Sequence, residues 1–210
     1  ERLFQQEPRH PITKYLKEFI ALDENLRVSL NSIINNFDNF LFIHKTDNLK
    51  AILVLYDLTA GETWHLCGVH LGATDAKLLQ IYRNIGSVYH FIRSLQEPKT
   101  YMTESRCIIP ENIIQKDDLL EMKFQAENSS INQADIFSPL MMELKTLLED
   151  GYNVLNKNDF STLKQGLILN RLAFKTCDEI INGGCKLLST YTSLTPLRKL
   201  WIAWKSHFIL

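Results

Sequence analysis

The stretch that decides the fold class is Ala51-Ile52-Leu53-Val54-Leu55-Tyr56, an apolar run without a charged residue. A continuous run of this length is typical of a strand that is covered on both faces. Turn-forming residues lie on either side of it. The segments 40–44 and 63–70 are also apolar, and with the central run they predict an antiparallel meander. We therefore expect a small antiparallel sheet over about residues 39–70, and residues 100–125 are a candidate extension of this sheet.

Outside this region, apolar residues recur at steps of three and four, a spacing that predicts amphipathic helices. The clearest stripe runs from Pro11 to Phe37. Capping side chains that precede an apolar pattern mark the starts of further helices. These predicted starts are Thr74, Ser138-Pro139, Asp159 and Thr195-Pro196. The predicted fold class is therefore α+β and predominantly α-helical, with the small sheet packed on amphipathic helices.

Gly86 lies in the middle of the helix that is predicted to begin near Thr74. A glycine inside a helix costs about 1 kcal/mol relative to alanine, so its presence there needs a reason. A second helix or strand that crosses at close range would supply that reason. We therefore expect a neighbouring element to pack directly on Gly86.

The composition is that of an average soluble domain: 210 residues, 45% hydrophobic, 22% charged, with a net charge of -1. It excludes intrinsic disorder and collagen-like repeats. No apolar run approaches the ~20 residues that a membrane-spanning helix needs, so no transmembrane segment is predicted. We expect residues 1–130 to form the helix-and-sheet part and residues 131–210 a helical region that packs on it. Because the chain begins with Glu1, we expect a fragment of a longer protein.

Charge is distributed unevenly along the chain. Residues 111–150 carry nine acidic and three basic side chains, whereas residues 151–210 carry eight basic and three acidic ones. The two regions either pack near each other or are solvated faces, or the basic end meets an acidic partner, an anionic membrane surface or nucleic acid. The eight basic residues are spread over sixty positions, and no RNA-binding motif, zinc-finger spacing or basic region is present. Both observations argue against nucleic-acid binding by the basic C-terminal helices, which is an alternative hypothesis and not the leading one.

The segment from Trp64 to His70 contains the weak candidates for catalysis, His65, Cys67 and His70. On a strand, His65 and Cys67 would share one face and His70 would point to the other. Cys67 could then act as a nucleophile with a histidine as its base. The simpler interpretation is a core cysteine flanked by half-buried histidines. No Cys-x-x-Cys or His-Glu-x-x-His pattern occurs, so neither a metal site nor a cofactor is predicted.

The four cysteines are widely spaced, unlike the dense framework of a small secreted domain. We expect reduced thiols and an intracellular protein, of the cytoplasm or the nucleus.

The predicted last helix carries the candidate partner-binding residues. Trp201, Trp204 and Phe208 recur at steps of three and four, so they share one stripe. Tryptophan beside cations is enriched in binding hot spots. The cations that lie off the stripe are Arg198, Lys199 and Lys205. These aromatic side chains either pack on the core of this chain or contact a partner.

The leading functional hypothesis rests on abundant amphipathic helices without a catalytic motif. It is a non-catalytic subunit or scaffold domain that binds other protein subunits, as a homo- or hetero-oligomer, within an intracellular multiprotein complex. An enzyme that uses the Trp64–His70 segment is the alternative from another class.

Overall fold

The computed structural model describes residues 10–22, 24–43, 45–96, 108–114, 132–155 and 157–209. These ranges contain eight α-helices and one π-helical segment. The helices are α1 (Pro11–Leu22), α2 (Glu24–Leu41), α3 (Leu49–Tyr56), α4 (Glu62–His70), α5 (Ala76–Gln96), α6 (Gln133–Asn153), α7 (Lys157–Asn182) and α8 (Pro196–Ile209), and the π segment is Asp57–Gly61.

The predicted sheet is wrong, whereas the predominantly helical character is confirmed. None of the described residues is in a strand, and residues 49–70 form α3, the π segment and α4 in unbroken succession. The candidate extension of the sheet covers residues 100–125, of which the structure describes only 108–114. These seven residues contain no strand. Residues 100–107 and 115–125 lie outside the described residues. The fold of the described chain is therefore all-helical.

The apolar run at 51–56 is helical because of what precedes it and what covers it. The side chain of Asn48 accepts a hydrogen bond from the Ala51 backbone N–H at 2.9 Å, which caps α3. Ile52 and Tyr56, four residues apart, are buried, whereas Val54 is 51% exposed. This burial follows the helical period of 3.6 residues rather than the two-residue period of a strand.

The π segment places two carboxylates beside one arginine. The Glu62 N–H donates to the carbonyl of Asp57, five residues earlier, as in a π-helix. Arg83 of α5 binds Asp57 through Nε at 2.7 Å and Glu62 through Nη1 at 2.5 Å. Residues five apart on a regular α-helix point about 140° away from each other. The wider π turn therefore lets Asp57 and Glu62 converge on Arg83.

Helix α5 is the centre of the described fold. It packs against α3, the π segment, α4, α6 and α7, and twelve of its residues are buried. A β-carbon placed on Gly86 would come within 2.7 Å of the Trp64 Cβ and closer still to its ring. The close crossing expected at Gly86 is therefore confirmed, with α4 as the crossing helix.

Helix α6 begins earlier than its predicted start at Ser138-Pro139. The side chain of Asn132 caps it by accepting from the Ala134 N–H at 3.1 Å, and Pro139 lies inside the helix. A stripe of buried α6 side chains then packs against α5 and α7. Its residues are Phe137, Leu140, Met141, Leu144 and Leu148.

Candidate functional site

Helix α8 is anchored to α7 by one of its faces. Its first turn is capped weakly by Thr195, whose Oγ1 accepts from the Arg198 N–H at 3.4 Å. The Arg198 Nη1 lies 2.6 Å from Oε2 of Glu179 on α7. Further along, Ser206 is buried. These contacts hold α8 against the body of the fold and decide which side of the helix faces outward.

The opposite side is a continuous stripe of large apolar side chains in water, named here the α8 apolar face. Its members are Leu197 (79% exposed), Leu200 (67%), Trp201 (60%), Trp204 (56%) and Phe208 (70%). Their spacing of three and four residues places them on neighbouring turns of one side. Of the three tryptophans in the chain, only Trp64 is buried, at 7% exposure. The α8 apolar face is therefore an outward-facing surface rather than part of the core.

The aromatic side chains of this face contact one another. The Trp201 and Trp204 rings stack with centroids 5.2 Å apart and an interplanar angle of 27°. Phe208 meets Trp204 edge-on at 5.1 Å. Offset-stacked and edge-to-face pairs at these distances are the favourable aromatic geometries. The three rings thus form one ordered aromatic cluster on the surface.

The three cations predicted to flank the stripe have different surroundings. Arg198 is paired with Glu179 and so serves the anchoring face. Lys199 is half-buried and lines a small cavity beside Arg93. Lys205 is exposed. The structure therefore brings Trp201, Trp204 and Phe208 together on the outward face, while Arg198 and Lys199 lie toward the body of the fold.

Leu197 and Leu200 are the members of this face that were not among the predicted partner-binding residues. The three-to-four spacing that links the tryptophans also places both leucines on the same stripe. Both leucines are more exposed than either tryptophan.

The His65, Cys67 and His70 candidates lie on α4, so the strand geometry that would pair His65 with Cys67 is absent. Residues two apart on a helix do not face each other. His65 is half-buried and its Nδ1 lies 3.8 Å from Oε1 of Glu62, whereas Cys67 and His70 are exposed. In the ranges that the structure covers, no group of three or more His, Cys, Asp or Glu side chains could hold a metal ion.

Neither a known protein family nor an individual characterised protein matches this sequence. Among the described helices, none combines the length and the apolar composition required to cross a membrane. What the α8 apolar face does is therefore inferred from its own chemistry.

Proposed function

We propose that this chain is a non-catalytic, protein-binding subunit or scaffold domain of an intracellular multiprotein assembly. The α8 apolar face is its partner contact. The observation that carries the proposal is the exposure of five large apolar side chains, two of them tryptophans, along one ordered helix.

The size of the aromatic surface supports this proposal. A fully exposed aromatic side chain presents about 150–250 Å². With Trp201, Trp204 and Phe208 each more than half exposed, the three rings leave on the order of 300 Å² in water. The largest apolar patch of a typical monomer is about 300–600 Å² and is often functional. The aromatic cluster alone reaches this range before the two leucines are added.

The composition of the face also favours a protein partner. Tryptophan is enriched among hot-spot residues because a large, rigid ring buries much area and loses little conformational entropy on binding. A straight helix with apolar side chains at steps of three and four fits a groove on a partner. The packing of α8 on α7, which buries Leu194 and Ser206, holds the helix in place before binding and so lowers the entropy cost of association.

The state of the cysteines supports an intracellular setting. Cys67, Cys177 and Cys185, the three cysteines that the structure describes, are all free thiols, and Cys67 is exposed. Free thiols of this kind persist in reducing compartments.

The proposal is tested by comparing Trp204→Ala with a matched control, Phe42→Ala. Phe42 is 77% exposed but lies far along the chain from α8, at the end of α2. Both tagged variants and the original chain are expressed in cells, and the captured proteins are quantified by mass spectrometry. We expect at least one partner to be lost about tenfold or more with Trp204→Ala and retained with Phe42→Ala.

Two results would refute the proposal. In one, Trp204→Ala retains every partner that the original chain captures. In the other, the purified variant loses its helical circular dichroism, which would make Trp204 a core residue. Light scattering of the purified chain identifies a second copy as the partner if the mass doubles and Trp204→Ala restores the monomer.

A further inference from the structure

A cavity of about 690 Å³ lies between α2 and α5, away from the α8 apolar face. Its wall includes Phe37 and Phe40 from α2 and Tyr56 from α3. Cavities that hold small molecules measure about 300–1,000 Å³ and are lined mainly by apolar and aromatic side chains. This cavity therefore has the size and the lining of a small-molecule site.

The hydroxyl groups in the lining are largely occupied by bonds within the protein. The Tyr56 hydroxyl donates to Ser94 Oγ at 2.6 Å, and Ser94 donates to the Phe91 carbonyl at 2.8 Å. Thr59 and Thr63 donate to backbone carbonyls of their own helical segment. The body of the cavity thus offers a ligand apolar contact rather than hydrogen-bond donors.

One end of the cavity is cationic. Arg93 and Tyr89 line it and also line a second cavity of about 230 Å³, where Lys199 joins them. Among the described residues, no carboxylate lies within ion-pair distance of Arg93 or Lys199, and neither lining includes Asp or Glu. Burial, and after it the Arg93 charge, lowers the pKa of the neighbouring His90. Arg93 thus contributes positive charge to both cavities, and Lys199 adds a second positive charge to the smaller one.

A second groove of nearly equal volume has the opposite charge. The groove between α3, α5 and α6 measures about 680 Å³ and includes Asp57, Glu143 and Asp150 against the single cation Lys50. The two large concave surfaces therefore differ in charge. The lining of the cavity at Arg93 has no acidic side chain, whereas the other groove has three.

We propose that the cavity between α2 and α5 binds one small amphipathic anion. Its acidic group pairs with Arg93, and its apolar tail packs against the aromatic wall formed by Phe37, Phe40 and Tyr56. A long-chain carboxylate that is free in solution has this chemistry, and so does an anionic lipid of a bilayer, whose acidic group is a phosphate. The lining supplies one contiguous pocket of about 690 Å³, which is sized for a single free molecule.

The test uses the purified full chain and dodecanoate, kept below its micellar concentration, in isothermal titration calorimetry. We expect one molecule to bind per chain, and we expect neither dodecanol nor dodecyltrimethylammonium to bind comparably. Arg93→Gln should weaken dodecanoate binding about tenfold, the usual scale for one charge-assisted contact. Because the Arg93 side chain is exposed at the cavity mouth, this variant is expected to keep its fold.

Three controls separate a specific site from general attraction. Lys50→Gln removes one positive charge from the acidic groove and should leave dodecanoate binding unchanged. Ile33→Trp fills the cavity from α2 without changing its charge and should weaken binding. Vesicles of phosphatidylcholine with and without phosphatidylglycerol distinguish the lipid source, and we expect the chain to sediment with neither.

The proposal is overturned if dodecanoate does not bind, if dodecanol binds equally well, or if Arg93→Gln and Lys50→Gln have the same effect. Binding to phosphatidylglycerol vesicles without binding of monomeric dodecanoate would also overturn it.

Discussion

Trp64 of α4 packs directly against the backbone of α5 at Gly86, where a β-carbon would overlap the indole. The Trp64 ring continues from there onto Tyr82, with centroids 4.9 Å apart, and onto Tyr89 at 5.5 Å. The indole is thus held between two aromatic rings of α5 and covers the glycine between them. The crossing of α4 and α5 can be this close only because residue 86 has no side chain.

Replacing Gly86 with alanine should destabilise the fold even though alanine is the better helix former. Alanine gains about 1 kcal/mol of helix propensity, but displacing the Trp64 indole costs more, so we expect a net loss of about 2 kcal/mol. Urea denaturation followed by circular dichroism measures this change. Gly151→Ala is the control, because a β-carbon there would lie 3.1 Å from Ile85 and need only a small adjustment. Equal stability of the two variants would contradict the tight crossing.

Arg83 neutralises two carboxylates that the π segment brings together. Arg83→Met would leave Asp57 and Glu62 near each other without a cation, and the Arg83 side chain is only 21% exposed. We expect a loss of about 1–3 kcal/mol in the free energy of unfolding, between the values typical of exposed and buried pairs. Adding Asp57→Asn and Glu62→Gln to Arg83→Met should recover part of it. A triple variant as unstable as Arg83→Met alone would show that the ion pairs are not the cause.

Asp178 should make stability depend on acidic pH. Burial alone would raise its pKa, but hydrogen bonds from Lys145 at 2.5 Å and Lys175 at 2.8 Å outweigh burial and hold the pKa below the ordinary 3.8. A carboxyl that is more acidic in the folded chain stabilises it above the ordinary pKa, and this contribution is lost as the pH falls through the lowered value.

Asp178→Asn removes that contribution. Its urea midpoint should therefore lie below that of the original chain at about pH 6 and approach it at about pH 2.5. A gap between the two proteins that stays constant across this range would argue against the prediction.

Cys67 and Cys177 should differ strongly in reactivity toward alkylating agents. Cys67 is exposed, whereas Cys177 is fully buried and burial raises its pKa to about 12. Because the thiolate is the reacting species, we expect native Cys177 to react with iodoacetamide at least about a hundredfold more slowly than Cys67. Peptide mass spectrometry measures both rates, and the difference should vanish in urea. Comparable rates in the native chain would contradict the burial of Cys177.

The helices around the wrongly predicted sheet were predictable because their apolar residues carry a period. The run at 51–56 shows no such period, because every position in it is apolar. A short run of this kind is equally typical of a buried strand and of a buried helix. The turn-forming residues before the run include Asn48, and an asparagine that precedes an apolar run is also a helix cap. The covering helix that decides between these interpretations, α5, lies about twenty residues further along the chain.

The α8 apolar face was predictable as a stripe but not as a surface. Spacing places Trp201 and Trp204 on one side of a helix, but it does not say whether protein or water covers that side. The decision comes from the packing of α8 on α7, a helix distant in sequence, which buries Leu194 and Ser206 and leaves the tryptophans in water. The cavity at Arg93 has no sequence signal at all, because its walls come from helices distant in sequence.

The π segment also keeps α3 and α4 in phase with each other. Tyr56 and Trp64 both face α5, yet eight residues separate them, a spacing that on a regular α-helix would turn them about 80° apart. The wider turn absorbs one residue without rotating α4, so the two side chains act as if seven residues, two full turns, lay between them. Losing a single residue between 57 and 61 would therefore leave both aromatic side chains aimed at α5. The same deletion in the middle of α5 would swing Tyr82 or Gly86 out of register, so the π segment tolerates a change of helical phase that α5 does not.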